Sequence, residues 1–397
     1  MQKGVTPDHF FETDATAQRR QRQAAKAGNK NGNPIVLESK PLAAVLDINS
    51  PASLLIAESS GTVRRVNLET QDIKQVYRGP VAPVTCVAVG GPGNQIVFAG
   101  SWDKDIWSWD VSSKSPNRTY KGHSDFVKAI VAAKLGSKDI LISGGADKKI
   151  IVWDVTTGSK LHVLQDQTVS MMAIQHLIVD PGQSSADEIF LVSASSDPHI
   201  RRWRIRLDSA EQVVDQLPNE GETRHAILEH ETTVYKLLFD QEGDEVDLWT
   251  ASGDGTAKCL SRGKDYAVED TIEHGDHVRA ISLTEQWVIT AGRDEDIKVW
   301  DRASGKLYCT LEGHYDEVTD LVVLRHHTGT IEKIASVSLD GTVRTWSLDK
   351  KELDKINQEK LDKANGVEKE IPAEKEEGLM TAEEEAELAA LLDEDDD

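Results

Sequence analysis

The sequence predicts an all-β fold in which seven four-stranded units close into one ring, a seven-bladed β-propeller. The main observation is a pattern that returns seven times: an apolar strand, a small polar pair, usually an acidic turn, and a strand ending in Trp or a substitute. The clearest copies are ILISGGADKKIIVWD (140–154), WVITAGRDEDIKVWD (287–301) and KIASVSLDGTVRTWS (333–347). The second observation is the spacing of the copies, between 40 and 57 residues, which suits four strands in each unit.

Each copy carries a marker residue near its end. The markers are Val66, Trp109, Trp153, Trp203, Leu260, Trp300 and Trp346. A single four-stranded sheet leaves both of its faces uncovered and is marginally stable. Seven sheets in a ring cover one another's faces, so their strands need not alternate strictly between apolar and polar residues.

The N-terminal region supplies the strand that the seventh unit lacks. After Trp346 the sequence enters a charged tail without another apolar strand, whereas GNPIVLESKPLAAVLDI precedes the first unit. Aligned with GKLYCTLEGHYDEVTDL (305–321), residues 34–38 occupy the outer-strand position. We therefore expect this strand to complete the last blade, because closure removes exposed strand edges. Deletion of residues 1–40 should then lower stability, and deletion of 350–397 should not.

The repeated pattern resembles that of the WD40-repeat family, from about residue 34 to residue 348. The resemblance implies a hydrogen-bonded tetrad of His, Ser or Thr, Asp and Trp within a blade, which pairs the buried polar groups. Three units carry all four residues, at His123, Ser143, Asp147 and Trp153, at His274, Thr290, Asp294 and Trp300, and at His314, Ser336, Asp340 and Trp346. Because the set recurs, we interpret it as structural rather than as a hydrolase triad.

The remaining units depart from this tetrad. Unit five has Leu260 in place of Trp, and unit four has no His in QDQTVSMM. Unit two has Gly79 and Pro80 in place of Gly-His and Ala99 in place of Ser, and unit one has Ser60 at the Asp position.

Two insertions and two tails lie outside the repeated pattern. The insertions, 180–188 and 209–226, are polar, and we expect surface loops. The segments that flank the propeller (34–348) are a flexible polar and basic arm, 1–33, and an acidic tail, 349–397, both disordered or partly helical. The run AQRRQRQAAKAGNK in the arm suits a solvated arm, a short amphipathic helix or a nuclear-import signal.

The C-terminal tail carries a small apolar stripe. Leu388, Leu391 and Leu392 follow a capping box that begins at Thr381 and recur at helical spacing. The stripe suits a helix that folds into a partner's groove. The alternative is a disordered, solubilising tail.

Composition restricts the classes of partner. The net charge is −23, and residues 349–397 hold 19 acidic and 7 basic side chains. An acidic chain disfavours direct duplex binding, which depends on neutralising phosphates, and favours basic or mixed protein partners. The sequence has neither an apolar run of the roughly 18 residues that a membrane helix needs nor a signal-peptide stretch. We expect an intracellular protein, in the cytoplasm or the nucleus, without membrane insertion.

The sequence contains no motif that predicts catalysis or metal binding. Cys86, Cys259 and Cys309 lie in different units without CxxC or metal-ligand spacing, so we expect buried, reduced thiols. A phosphate-binding loop and a nucleophile motif are also missing. We therefore predict a protein that is not an enzyme and that uses no metal, cofactor or small-molecule substrate.

In the WD40 family one narrow face of the ring, here called the top face, presents residues just after Gly-His and just before the turn Asp. Carried over by offset, these positions are Trp102, Phe126, Glu231, His277, Arg293, Tyr315, Glu317 and Leu339. Interface hot spots favour Trp, Tyr and Arg, so Trp102, Arg293 and Tyr315 are the first candidates for partner contacts. The alternative is that individual side chains only pack against neighbouring loops.

Three interpretations of function follow. The leading one is a non-enzymatic scaffold with a monomeric propeller, which binds proteins of a multiprotein complex through the top face and the acidic tail. The second is a substrate receptor of a cullin-type ubiquitin ligase, because RRWRIRL (201–207) resembles a WDxR box in which Arg206 matches and Arg204 replaces Asp. The alternative for this segment is a basic strand whose charges pair with acidic neighbours. The third is a histone- or RNA-complex-associated factor whose tail shields basic proteins.

Overall fold

The computed structural model describes residues 14–166, 170–216, 222–242, 245–325 and 332–365. The described chain divides into two units, with the boundary after Ile356. The first unit contains seven antiparallel four-stranded sheets, which are the blades of a β-propeller. The predicted all-β fold class and the number of repeats are confirmed.

The first strand, β1 (Ile35–Val36), belongs to the last blade, and the following strands build the blades in chain order. Blade 1 consists of β2 (Pro41–Leu46), β3 (Ser53–Glu58), β4 (Thr62–Asn67) and β5 (Gln75–Arg78). Blade 2 consists of β6 (Val84–Gly90), β7 (Ile96–Ser101), β8 (Asp105–Asp110) and β9 (Pro116–Lys121). Blade 3 consists of β10 (Val127–Leu135), β11 (Lys138–Gly145), β12 (Ile150–Asp154) and β13 (Lys160–Leu164).

The second half of the ring repeats this order. Blade 4 consists of β14 (Ile174–Val179), β15 (Ile189–Ser195), β16 (Arg201–Ile205) and β17 (Ala210–Gln212). After a small hairpin of β18 (Asp215–Gln216) and β19 (Thr223–Arg224) comes blade 5, with β20 (Val234–Glu242), β21 (Glu245–Ser252), β22 (Thr256–Ser261) and β23 (Ala267–Glu273). Blade 6 consists of β24 (Val278–Leu283), β25 (Trp287–Gly292), β26 (Ile297–Asp301) and β27 (Leu307–Leu311). Blade 7 consists of β28 (Val318–Arg325), β29 (Glu332–Ser338), β30 (Thr342–Ser347) and β1.

The blades close into a ring around their first strands. Each of these inner strands contacts the inner strand of the next blade, and β28 contacts β2. Within the described residues, seven apolar clusters lie between the blades, one at each blade-to-blade interface. Burial of apolar surface contributes about 25 cal/mol per Å², so these seven layers are the core that stabilises the ring.

The N-terminal strand closes the ring as predicted. Ile35 in β1 pairs with Val343 in β30, and the Leu37 amide donates to the Gly341 carbonyl at 2.8 Å. On the other side, the Thr345 amide donates to the Gly32 carbonyl at 2.7 Å. The last blade therefore draws its strands from both ends of the propeller sequence.

The markers occupy one equivalent position in all seven blades. Each lies on the third strand opposite an aliphatic residue of the second strand, as in the pairs Val66–Leu54, Trp153–Leu141 and Trp346–Ile334. All seven markers are buried. Aliphatic residues can replace Trp at this position because it faces the core between blades.

A β-bulge interrupts every blade at the same place. The pairing between the first and second strands skips one residue after the first residue of the inner strand. The skipped residues are Leu42, Thr85, Lys128, Gln175, Tyr235, Arg279 and Thr319. A bulge turns its extra side chain away from the regular alternation, and here it turns seven side chains towards the centre.

Two helices flank the strands. Helix α1 (Asp14–Lys26) includes most of the basic run, and Lys26 contacts Asp296 at 3.0 Å and Glu295 at 3.4 Å on the turn of blade 6. Helix α2 (Lys350–Ala364) begins just after β30. Its Leu353 is completely buried among side chains of blades 6 and 7. The helix start therefore belongs to the same packed unit as the blades.

The two insertions differ in structure. Residues 180–188 form a turn, in which the buried Asp180 accepts amide hydrogen bonds and pairs with Arg262 of the next blade at 3.0 Å. The second insertion is not only a loop. It contributes β17, the outer strand of blade 4, and both strands of the small hairpin.

Candidate functional site

The seven bulge residues line a cavity of about 620 Å³ at the centre of the ring. Further lining side chains, including His176, Lys236 and Asp320, come from the next position of the same strands. Sequence alternation alone does not identify this lining, because the bulge shifts the register at each strand. A cationic residue directly after the first apolar residue of an inner strand, as in VKAI or VRAI, is the signal that marks it.

Seven backbone hydrogen bonds, one in each blade, form a ring around the mouth of this cavity. In every blade, the residue directly before the turn Asp (Ser60 in blade 1) donates its backbone amide to a carbonyl. The acceptor is the residue directly before the inner strand, and the distances are 2.7 to 3.1 Å. The pairs, donor first, are Ser59–Lys40, Trp102–Pro83, Ala146–Phe126, Ser196–Ala173, Gly253–Thr233, Arg293–His277 and Leu339–Glu317. We call these fourteen residues the rim, and they lie on the top face.

Six of the eight predicted top-face residues belong to the rim. Of these, Trp102, His277, Arg293, Glu317 and Leu339 line the cavity. Phe126 lies outside the lining but stacks on Trp102, with ring centroids 4.8 Å apart and planes inclined by 14°. Trp102 is 42% exposed and Phe126 is 38% exposed.

The other two predicted residues lie in the loops beside the rim. Glu231 is exposed, and its amide donates to Asp254 at 3.2 Å. Tyr315 is half-buried, and its hydroxyl donates to the Asp340 carbonyl at 3.0 Å. This hydrogen bond holds the phenol against its own blade. Tyr315, which the sequence placed among the first candidates, therefore presents less free surface than expected.

The cavity is positively charged although the chain is acidic. Its lining contains the cations Lys128, Lys236, Arg279 and Arg293 and the carboxylates Glu317 and Asp320. With histidines neutral, four positive and two negative charges give a net charge of +2, against −23 for the whole chain.

Two of these cations are paired and two are not. Arg279 contacts Glu317 at 3.0 Å, and Lys236 contacts Asp320 at 2.9 Å. Within the part of the chain that the structure describes, Lys128 and Arg293 have no ion-pair partner. Burial, together with the nearby charge of Arg279, lowers the pKa of Lys128.

His176 adds a half-buried neutral group to the cavity wall. Burial, with a smaller contribution from the charge of Lys236, holds the pKa of His176 well below its ordinary value. The imidazole is therefore uncharged near neutral pH, and the positive character of the cavity comes from its Lys and Arg side chains.

The three predicted tetrads have the hydrogen bonds that the WD40 resemblance implies. In blade 3, His123 contacts Asp147 at 2.9 Å and Ser143 at 2.8 Å, and the Trp153 indole donates to Ser143 at 2.8 Å. Blades 6 and 7 repeat these contacts at 2.7 to 3.0 Å. In blade 5, His230 contacts Asp254 and Thr250 in the same way without the indole.

The tetrad carboxylates are held in their charged form. Burial opposes the charge of Asp294, but hydrogen bonds and charges from His274 and Lys298 outweigh it and lower its pKa to about 2. The pKa values of Asp147 and Asp340 are lowered for the same reason. In each tetrad the serine or threonine oxygen already contacts the imidazole and the indole, which suits a structural role.

Blades that lack the histidine use another residue at a fixed position, two before the marker. In blade 2, the Trp107 indole donates to the turn carboxylate Asp103 at 2.9 Å. In blade 4, the buried Arg201 contacts Asp197 at 3.0 Å and Asp166 at 2.6 Å. Sequence comparison of the units identified the missing histidines but not these replacements.

Blade 1 follows the same scheme, with Glu58 supplying the carboxylate in place of the turn Asp. Arg64, also two before the marker, contacts the buried Glu58 at 2.9 Å and Glu38 at 3.0 Å. Ser60, at the usual Asp position, lies within 2.9 Å of Thr62. The buried charged groups of these irregular units are therefore ion-paired, which burial of charge requires.

The WDxR-like segment begins on β16 and ends just after it, and its last two arginines pair with one glutamate. Arg206 contacts Glu188 at 2.6 Å, and Arg204 contacts the same carboxylate at 3.1 Å. This arrangement matches the alternative in which basic residues of the strand pair with acidic neighbours.

One group of side chains in the described residues brings metal-ligating atoms together. Oxygen and sulphur atoms of Asp247, Cys259 and Glu269 lie within 4.8 Å of one another. Burial raises the pKa of the Cys259 thiol to about 12, and Glu269 already contacts Lys264 at 2.5 Å. A protonated thiol and a paired carboxylate disfavour metal binding.

The tail residues Leu388, Leu391 and Leu392 lie outside the described residues.

Comparison with known proteins decides the family. The chain is 31% identical over 353 residues to a WD repeat-containing protein of Schizosaccharomyces pombe, and the match covers 86% of this chain and 89% of that protein. The chain belongs to the WD40-repeat family. The family model of the WD domain, G-beta repeat, matches residues 71–110, 114–154, 268–301 and 305–347 of this WD40 protein. These matches end just after the markers Trp109, Trp153, Trp300 and Trp346.

Other relatives of this WD40 protein share its propeller region. It is 26% identical over 305 residues to the nuclear distribution protein PAC1 of Arthroderma otae and 28% identical over 303 residues to the nuclear distribution protein nudF of Emericella nidulans. Each match covers 75% of this chain, which spans 56% of the length of either relative. WD40 propellers are generally non-enzymatic scaffolds that bind other proteins. Neither described helix of this chain has the length and apolar character needed to cross a bilayer.

Proposed function

We propose that this WD40 protein is a non-enzymatic scaffold that binds a segment of a partner protein at the mouth of the central cavity. The observation that carries this proposal is the exposed stack of Trp102 on Phe126 at the edge of a cavity lined by Arg293 and His277. Exposed aromatic side chains beside a concave, polar-rimmed site are typical of protein interfaces.

The rim supports binding because its backbone is fixed. Seven equivalent hydrogen bonds hold the loops that carry these side chains. A preorganised site loses less conformational entropy on binding than a mobile loop does. The proposed contacts are Trp102, Phe126, His277 and Arg293, together with the rim residues Glu317 and Leu339.

A hydrolytic role for the His, Ser and Asp residues receives no support from their geometry. In blade 3, Ser143 is completely buried and bonded to both His123 and Trp153. A nucleophile needs access to substrate and an activating base that is not fully engaged elsewhere. The same arrangement recurs in other blades, which supports a structural role for each copy.

The other interpretations stand less well supported by the described residues. Arg206 is engaged by Glu188, which disfavours its use as a free contact for a ligase adaptor. The tail on which a histone- or RNA-associated role rests lies outside the described residues. We retain the acidic tail as a second partner-binding segment, as a prediction of the sequence, together with an intracellular location.

Photo-crosslinking tests the proposal at one residue. A full-length variant with Trp102→p-benzoylphenylalanine should form covalent adducts with a partner protein in cells that express it. The matched control places the same group at Ile48, which is 51% exposed in the loop between β2 and β3 on the opposite face. Adducts that depend on the Trp102 position support the proposal, and identical adducts from both positions, or none from Trp102, contradict it.

A further inference from the structure

Two of the seven bulge residues are cations, and they come from distant blades. Lys128 lies in blade 3 and Arg279 in blade 6, and both line the cavity. Blades 3 and 6 are separated by two blades on one side of the ring and by three on the other. The two side chains therefore approach the cavity from different sides.

Arg279 is positioned by two neighbours. Its Nε atom lies 3.0 Å from a Glu317 carboxylate oxygen, and its guanidinium lies 4.2 Å from the centroid of the Tyr235 ring. The ion pair and the cation–π contact fix the orientation of the guanidinium. Lys236 is similarly held by Asp320 on the wall of the same cavity.

Lys128 is different because it has no carboxylate partner among the described residues. It is half-buried, and both its burial and the charge of Arg279 disfavour its protonated form. An ammonium group that is partly desolvated and faces a like charge destabilises the folded protein unless an anion compensates it. The chain places this cation in a cavity with a net positive lining, where a bound anion would compensate its charge.

Trp102 lines the same cavity and carries the stack with Phe126 at its edge. The site therefore combines an apolar, aromatic surface with a positively charged interior. A ligand that satisfies both parts has a carboxylate next to a bulky apolar side chain. Acidic protein segments that contain Phe, Leu or Trp have this composition.

We propose that the cavity mouth binds a short acidic segment of a partner protein, with a carboxylate between Lys128 and Arg279 and an apolar side chain against Trp102 and Phe126. This inference rests on the proposed function, since it specifies the chemistry of the partner. Arg293 on the rim is the second cation without an ion-pair partner among the described residues, and it attracts the flanking acidic residues.

A single-stranded nucleic acid also combines negative charge with stacking bases, but it fits this surface less well. Its binding requires a positive groove that follows several phosphates. Here the positive charges lie inside a cavity, and the surrounding rim and loops carry Glu231, Glu317 and Asp316. The overall charge of −23 further opposes a polyanion.

Fluorescence anisotropy with the full-length protein tests this inference. The probe is a short fluorescein-labelled peptide of Glu and Asp interrupted by Phe, and the control probes are a peptide with Lys in place of its acidic residues and a labelled oligouridylate. We expect the acidic peptide to bind best and its affinity to decrease as salt is raised. Tighter binding of the oligouridylate or of the lysine peptide would overturn the inference.

Two lysines of one strand provide matched variants. Lys128→Met should weaken binding of the acidic peptide by about tenfold or more without lowering the melting temperature, because the uncompensated charge is removed. Lys134→Met, at the exposed far end of β10, should change neither quantity. Equal peptide affinity for Lys128→Met and the wild type, or a fall in its melting temperature with affinity unchanged, contradicts the inference.

The result separates this inference from the proposed function. Position-dependent crosslinks at Trp102 without binding of the acidic peptide would leave the scaffold function supported and refute the acidic ligand. Absence of both would refute the two together.

Discussion

The indole of Trp102 stacks on the ring of Phe126, 4.8 Å away, although the two residues belong to adjacent blades. Trp102 lies on the turn after β7, and Phe126 directly precedes β10. The hydrogen-bonded rim holds both loops, with Trp102 donating to Pro83 and Ala146 donating to Phe126. The stack is therefore an exposed aromatic surface on a fixed backbone, which is a favourable arrangement for binding a partner.

Ring closure depends on the close approach of Gly32 to Trp346. Both Gly28 and Gly32 have positive φ angles, but a Cβ at Gly32 would lie 2.8 Å from the Trp346 ring, whereas at Gly28 it meets nothing within 4 Å. We expect Gly32→Ala to destabilise the protein by about 1–3 kcal/mol more than Gly28→Ala. Urea unfolding of the two variants measures this difference. Equal stabilities would show that the N-terminal segment does not contribute to closure in this way.

The start of helix α2 should matter for stability, contrary to what the tail composition suggested. Leu353 is 0% exposed and Leu361, on the same helix, is 56% exposed. We expect Leu353→Ala to cost about 2–5 kcal/mol and Leu361→Ala less than about 0.5 kcal/mol. The expectation that residues 350–397 are dispensable for stability therefore no longer holds for the segment that includes Leu353. Indistinguishable unfolding midpoints for the two variants would restore it.

Blade 4 should depend on its buried arginine. Arg201 is completely buried between Asp166 and Asp197, whereas the Arg206 side chain is 43% exposed beside Glu188. We expect Arg201→Met to destabilise the protein by about 3–5 kcal/mol, since it leaves buried carboxylates without their partner. Arg206→Met should cost no more than about 1 kcal/mol. Denaturant unfolding compares the two, and similar small losses would argue against the replacement of the histidine by Arg201.

The tetrad of blade 6 predicts a specific dependence of stability on pH. The pKa of Asp294 is lowered to about 2 in the folded protein, against about 3.9 in an unfolded chain. Its contribution to stability is therefore complete above about pH 4 and is lost as the pH falls towards 2.

Asp294→Asn provides the comparison, because the amide resembles the protonated carboxyl group. The difference in unfolding free energy between the wild type and this variant should decrease by up to about 1.4 kcal/mol per pH unit below pH 4. Urea unfolding at a series of pH values measures it. A difference that stays constant from pH 7 to pH 3 would contradict the assignment.

The repeat allowed most of the fold to be predicted. Its period and markers identified seven blades, and the missing last strand identified β1 as the strand that closes the ring. These features are encoded locally, because each unit carries its own strand and turn residues. The offsets from Gly-His and from the turn Asp also located six rim residues.

The interior of the site could not be predicted in the same way. The bulge at Lys128 and Arg279 changes which side chains face the cavity, and strand alternation does not reveal it. The replacement of histidine by Arg201 also involves Asp166, which lies 35 residues earlier in the sequence. Such compensation becomes visible only when the strands are placed side by side.

Loss of partner binding on removal of the rim side chains tests the central claim most directly. The measurement is quantitative affinity capture with mass spectrometry, comparing the wild type, a Trp102→Ala/Arg293→Ala variant and an Ile48→Ala/Lys134→Ala control on the opposite face. We predict that specific proteins captured by the wild type and the control are lost from the rim variant, with its melting temperature unchanged. Recovery of the same proteins in the same amounts from the rim variant would contradict the account.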